Sequence, residues 1–177
     1  MTAKNFDACF AEMEKWEGWH KFTVTAHDPG GATWCGLTQR SYDAWRRKHG
    51  LPLQSVRRAS DDEIRAIFRE EYWTQARCDD LPPGVDLLQF DTTVNEGAVQ
   101  ATRDLQRALG IPADGVFGLE TLECVQRVTT RADLINRVCD RRTSFWRSLT
   151  TFRWFGAGWL ARGSAIRARA LAMHASA

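Results

Sequence analysis

Apolar residues in this chain recur mostly three and four positions apart, the period of a helix with one buried face. Phe6, Cys9, Phe10, Met13 and Trp16 follow that spacing and predict an amphipathic helix over about residues 5–17. Thr38 or Ser41 opens a second helix that runs to about residue 49, where Gly50 and Pro52 stop it. Ser60-Asp61-Asp62-Glu63 is a capping box that starts a third, with Ile64, Ile67, Phe68 and Tyr72 on one face. Leu81-Pro82-Pro83-Gly84 breaks the pattern. Leu87, Phe90, Asp91 and Val94 then share a face of the next helix, which Asn95 ends near Gly97. Val99, Leu105 and Leu109 mark a further helix, Ile111 to Gly115 a turn, and Leu119 to Val128 another helix. Leu134, Val138, Phe145, Trp146 and Leu149 lie on a long helix at near-heptad spacing. The stripe predicts core packing, because it does not persist through four clean heptads. Phe152 to Trp159 is aromatic and punctuated by Gly, a segment that packs on the body or touches membrane, and Arg162 to Ala172 reads as a short basic helix. The fold class is therefore mainly α.

Residues 27–38, His-Asp-Pro-Gly-Gly-Ala-Thr-Trp-Cys-Gly-Leu-Thr, interrupt the helical pattern with a small Gly-rich hairpin or loop. Pro29, Gly30 and Gly31 force a tight turn, and Gly30-Gly31 lets backbone approach a ligand closely. Asp28 and Thr33 bracket that turn. A carboxylate and a hydroxyl at one cleft can hold and activate a water for attack on a sugar carbon. The alternative is an Asx-type turn with Thr33 as an ordinary strand residue. Just upstream, Glu17 falls beside Phe6 and Phe10 on the apolar stripe, with Glu12 and Lys15 on the polar side and Trp16 and Trp19 flanking it. A carboxylate on an apolar face must be paired or hold its proton toward neutral pH, and a general acid needs the latter. The plainer alternative is a partly exposed Glu where the helix frays.

Glu17-Gly18, Asp28-x-Gly30-Gly31-Ala32-Thr33 and Gly36-Leu37-Thr38 together resemble the N-terminal signature of the glycoside hydrolase family 108 muramidases, a family that includes phage endolysins and secretion activator proteins. The ordered Glu, Asp, Thr set is also similar to the triad of phage lysozymes, at different spacing. The resemblance continues through Asp91-x-x-Val94-Asn95-x-Gly97. Leu105-Gln106, Leu109-Gly110, Asp114-Gly115-x-x-Gly118 and Thr121-Leu122 look like the family's C-terminal peptidoglycan-binding region. This chain departs from the pattern at Trp19, where a second Gly is usual, and at Leu37, where Ile is usual.

The resemblance implies a lysozyme-like fold, with a catalytic region at 1–96 and a helical wall-binding region at 97–177 packed into one unit. It implies hydrolysis of the β-1,4 bond between N-acetylmuramic acid and N-acetylglucosamine in peptidoglycan glycan strands, without a cofactor. Glu17 is then the general acid. Asp28 and Thr33 position water or steady the oxocarbenium charge, Gly30, Gly31 and Trp34 line the cleft, and Asn95 contacts sugar. Three other readings stay open: a lytic transglycosylase, a non-catalytic wall-binding or secretion-accessory protein, and a basic membrane-disrupting protein.

Composition narrows the classes. At 177 residues and 44% hydrophobic the chain can bury one good core or two small lobes. Eight Trp leave some for stacking on sugar rings. The five Cys (9, 35, 78, 124, 139) lack metal-ligand spacing and are expected as reduced thiols, and His20 and His27 are too isolated for a metal site. No phosphate loop or nucleic-acid motif is present, and a monomer is expected. The N-terminus has no apolar stretch typical of a signal peptide, so a wall enzyme made in the bacterial cytoplasm is expected to need holin-type release. Net charge is +2, but residues 127–177 carry ten Arg against Asp133 and Asp140, a balance of +8, which leaves −6 on the rest. That third suits an anionic envelope surface, or is simply a solvated Arg-rich face.

Overall fold

A computed structural model describes residues 3–17, 19–24 and 31–176. They divide into two compact units, one of residues 10–71 and one of residues 1–9 with 72–177. The boundaries do not follow the expected 1–96 and 97–177 division. The helix that ends at Glu96 packs on three helices that come after it.

In the unit of residues 10–71, α1 (Ala3–Glu14) ends and its last turn carries on to Glu17. The helix is thus shorter than its apolar spacing predicts, and Glu17 stands just past its C-terminus. Its N–H still donates to Met13 O at 3.1 Å. Glu12, expected on the polar side, is buried and paired with Lys15 at 2.6 Å. An antiparallel sheet of three two-residue strands follows: β1 (Phe22–Thr23), β2 (Thr33–Trp34) and β3 (Leu37–Thr38), in that order. Thr38 caps α2 (Gln39–Lys48), its hydroxyl accepting from Ser41 N at 3.2 Å. Ser60 and Glu63 form the expected capping box on α3 (Asp61–Ile67). The core gathers Phe10, Leu37, Tyr42, Ile64, Ile67 and Phe68. Its polar tie is Tyr42, which donates to Glu63 at 2.8 Å and accepts from Arg46 at 2.8 Å.

α3 does not continue regularly to Tyr72. It widens into a π-helical turn, Phe68–Thr74. A wider turn rotates the residues beyond it, so Trp73 takes the buried place and Tyr72 is half-buried. In the second unit Trp73 meets Phe6 and Phe90 edge-on, with both ring centroids 5.4 Å away. α4 (Val85–Glu96) is buried all round from Val85 to Thr93 and is the axis of this unit. α5 (Ala98–Leu109), α7 (Arg131–Ser148) and α8 (Phe152–Ala175) pack on it, and α6 (Leu119–Arg127) packs on α5. Val99, expected on the apolar face of α5, is 54% exposed.

The C-terminal segment corrects a second expectation. The aromatic stretch and the basic helix are one 24-residue helix, α8, despite Gly156, Gly158 and Gly163. Tertiary packing outweighs weak helix propensity there. A Cβ on Gly163 would lie 2.8 Å from the Trp146 ring, so glycine is what lets α8 close on α7. Among the described residues no helix is long and apolar enough to cross a membrane.

Candidate functional site

The residues that converge in the first unit are Glu17, Trp19, His20 and the β2–β3 hairpin. The hairpin loop is two residues long, since Trp34 pairs with Leu37. Both loop residues have positive φ, Cys35 at 50° and Gly36 at 76°. That is the pattern of a type I′ turn, whose twist matches the strands. Gly36 serves a second purpose. A Cβ there would lie 2.8 Å from Glu17 Oε2 and 3.0 Å from Glu17 Cβ. The Glu17 carboxylate therefore rests directly on the bare backbone of the turn. The turn that follows α1 supplies the residue and the hairpin supplies the surface beneath it.

Two non-glycine residues are held in the left-handed region to build this corner, Cys35 and His20, the latter at φ 60°. Such backbone costs about 1–3 kcal/mol and persists where surroundings over-determine it. Here they are tied together: His20 N donates to Cys35 Sγ at 3.1 Å. The thiol is fully buried, and burial pushes its pKa up against the opposing His20 hydrogen bond. Cys35 is thus a protonated structural acceptor and not a nucleophile. The His20 ring stacks on Trp34 with centroids 5.7 Å apart and planes 18° apart, and its Nε2 is 3.5 Å from Asp61. Trp19 lies 5.9 Å from His20 and packs edge-on to Phe10 at 5.5 Å. The corner therefore presents a carboxylate beside an aromatic run of Trp19, His20 and Trp34, while Trp16 is turned toward solvent.

Thr33 is half-buried on the central strand and stands opposite both Thr23 and Thr38, which makes a row of three hydroxyl residues across the sheet. Trp34 stands in the neighbouring row with Phe22 and Leu37. Gly31 has φ 76°, and a Cβ built there would lie 3.4 Å from Gln39 Cβ. The backbone next to it is fixed, because Gln39 N donates to Ala32 O at 2.7 Å. Asp28 and Gly30, the second carboxylate and the first glycine of the predicted turn, lie outside the described residues, as do Gly18 and His27. Among the described residues no group of His, Cys, Asp and Glu could hold a metal ion.

Asn95 and Asp91 belong to the other unit. Asn95 donates to Asp91 O at 2.7 Å and stands at the end of α4. Asp91 is fully buried and paired with Arg142 and Arg162, the latter at 2.8 Å. Its partners are thus two guanidinium groups. Glu96 accepts from Arg142 Nε at 2.7 Å and from Trp146 Nε1 at 2.9 Å. Part of the C-terminal Arg excess is consumed internally: Arg142 and Arg162 in this network, and Arg167 with Asp140.

Sequence reasoning singled out Glu17, Thr33 and Trp34 but missed Gly36 as the seat of Glu17, and Cys35 and His20 as its supports. The available signal was Cys35-Gly36 between two Thr-containing β pairs, a short hairpin turn.

Residues 10–97 match the family model described as glycosyl hydrolase 108. The solved structure of Brucella abortus SagA superposes with a TM-score of 0.82 at 34% identity, covering 97% of this chain and 96% of that one. No curated protein matches the chain.

Proposed function

This chain belongs to the glycosyl hydrolase 108 family, and from that premise we propose that it is an N-acetylmuramidase. It cleaves the β-1,4 bond between N-acetylmuramic acid and N-acetylglucosamine in peptidoglycan. That it is a glycoside hydrolase follows from the family; the bond and the residue roles are the proposal. The observation that supports it is the seating of the Glu17 carboxylate on the Gly36 turn, beside Trp34 and His20. A general acid must be held within hydrogen-bond reach of the leaving oxygen, and a side chain clamped between a helix end and a turn meets that need. Aromatic faces beside it suit the C–H face of a sugar ring.

In the mechanism, Glu17 gives its proton to the glycosidic oxygen as the bond breaks. Asp28 takes a proton from a water that the Thr33 hydroxyl helps hold, the water oxygen bonds the anomeric carbon, and the electron pair of the C–O bond leaves with the newly protonated sugar hydroxyl. The backbone of Gly30 and Gly31 allows the glycan to approach closely. The biological setting is host-wall lysis by a phage or prophage enzyme that acts as a monomer after holin-type release. The Arg-rich C-terminal third adds attraction to an anionic envelope.

Mass spectrometry of purified peptidoglycan digested with wild type and Glu17→Gln tests the reading. Reducing muramic-acid ends from wild type alone are expected. Anhydro ends would make the protein a transglycosylase. Absence of soluble fragments from several wall types would remove the enzymatic reading altogether.

A further inference from the structure

The tip of the α7–α8 hairpin joins exposed aromatic rings to uncompensated positive charge. α7 and α8 pack on one another and are connected by Leu149, Thr150 and Thr151. In the first turn of α8, Trp154 is 62% exposed and its neighbour Phe155 is 57% exposed. Single exposed apolar residues are ordinary, but two adjacent aromatic rings in water mark a contact surface. Phe155 leans on the half-buried Trp159, with ring centroids 5.9 Å apart. Ala157 and Gly158, one turn beyond Trp154, are exposed and small, so they leave its ring open on that side.

The charge around these rings has one sign. No Asp or Glu follows Asp140 in the chain, whereas seven Arg do. Arg142, Arg162 and Arg167 among them are held by carboxylates. Arg147 and Arg153, on either side of the connecting turn, are exposed and have no carboxylate partner among the described residues. The Arg153 guanidinium carbon lies 3.8 Å from the centre of the Trp154 ring, so cation and ring are presented together. The N-terminus of α8 adds to the same field. Thr151 gives it no side-chain cap and its first turn carries no acid, which leaves the positive end of a 24-residue helix unbalanced.

We propose that this tip docks on the surface of an anionic phospholipid bilayer. Trp154 and Phe155 enter the interfacial layer, and Arg147, Arg153 and the first N–H groups of α8 meet lipid phosphates. Charge complementarity selects an anionic partner, and the aromatic pair selects lipid. A hydrated polyanion would engage the Arg side chains without taking two adjacent rings out of water. Contact is confined to the first turns of α8, because apolar and polar residues do not segregate along the whole helix and no helix among the described residues can span a membrane. The proposal rests on the envelope attraction assigned above to the C-terminal third and narrows it to one tip and one partner. The role of Glu17 does not enter it.

The test floats the full chain with vesicles of phosphatidylcholine alone and of phosphatidylcholine mixed with phosphatidylglycerol. Binding is expected only to the mixed vesicles and should weaken as salt rises from about 0.05 to 0.5 M. Trp154→Ala with Phe155→Ala should weaken it by about tenfold or more. Arg147→Gln with Arg153→Gln should weaken it by about 30-fold, at about fivefold for each charge. Both pairs are exposed, so Tm and the rate of digestion of soluble peptidoglycan should stay at wild type. Bromine on the lipid acyl chains should quench wild-type Trp fluorescence more than that of Trp154→Ala. The proposal is overturned if neither vesicle binds, or if neutral vesicles bind equally well. It also falls if light scattering without lipid shows a dimer that Trp154→Ala dissolves, since the rings would then cover a second copy. Salt-sensitive vesicle binding that survives both paired variants would keep the envelope attraction and remove the tip. Lost digestion in Glu17→Gln bears on the muramidase reading alone.

Discussion

Replacing Gly36 with alanine tests whether the turn beneath Glu17 matters for catalysis and not only for folding. Two effects are expected, and they differ in size. Gly36 has φ 76°, where an L-residue with a Cβ loses about 1–2 kcal/mol. For a chain of this length that lowers Tm by about 2–8 °C. The second effect is positional. The new Cβ would lie 2.8 Å from Glu17 Oε2 and 3.0 Å from Glu17 Cβ, several tenths of an ångström inside ordinary contact. The second contact is with the stem of the side chain, so rotating the carboxylate alone does not relieve it. Glu17 must shift, and a misplacement near 1 Å costs about 10²-fold in rate. Gly50→Ala is the control, because Gly50 has φ 66° but no atom within 4 Å of its Cβ. Both variants should lose similar stability in thermal unfolding. Only Gly36→Ala should lose wall-digestion rate, by about 10–100-fold at a temperature where both are folded. If Gly36→Ala digests peptidoglycan within about threefold of wild type, Glu17 is not the positioned acid described here. Equal loss in Gly50→Ala would reduce the effect to stability.

Glu17→Gln should lower kcat by about 10²–10⁴ while wall binding and Tm stay near wild type, and an unchanged kcat would reject the role of Glu17. Asp86 is buried and pushed up to about 6, chiefly by burial, although it accepts from Leu87 N, Asn5 and Gly84 N. Its folded pKa lies above its unfolded one, so its favourable contribution is complete below about pH 4 and is lost as pH rises through about 6. Asp86→Asn keeps an acceptor for the two backbone N–H groups. Chemical denaturation should show wild type gaining up to about 3 kcal/mol relative to this variant between pH 7 and 4, and parallel curves would refute the linkage. Arg142→Met strips a charge partner from Asp91 and from Glu96 and should cost about 3–5 kcal/mol in urea unfolding; a loss under about 1 kcal/mol would mean the network is not stabilising. Wall association through the Arg-rich third should weaken as ionic strength rises past about 0.15 M, and salt-independent association would count against that surface.

What the sequence determined by itself was local. The mainly α class, the caps at Thr38 and Ser60, the breaks at Gly50 and Leu81–Gly84, and the inward faces of Cys9, Phe10 and Leu105 follow from periodicity and cap chemistry, while the lysozyme-like class came from the family resemblance. The family signature was legible too, because it is a run of neighbours. Other features were decided only by tertiary contacts, since they join residues far apart in the chain. The π-helical turn that exchanges Tyr72 for Trp73 answers to packing against Phe6 and Phe90. α8 runs unbroken through three glycines because Gly163 buries the Trp146 ring, a gain that local propensity does not contain. Asp91 finds Arg142 and Arg162, 51 and 71 positions away. Glu17 acquires its seat from Gly36, 19 positions further along the chain. A helical wheel can place a carboxylate on an apolar face, but only the folded chain can supply the backbone on which that carboxylate rests.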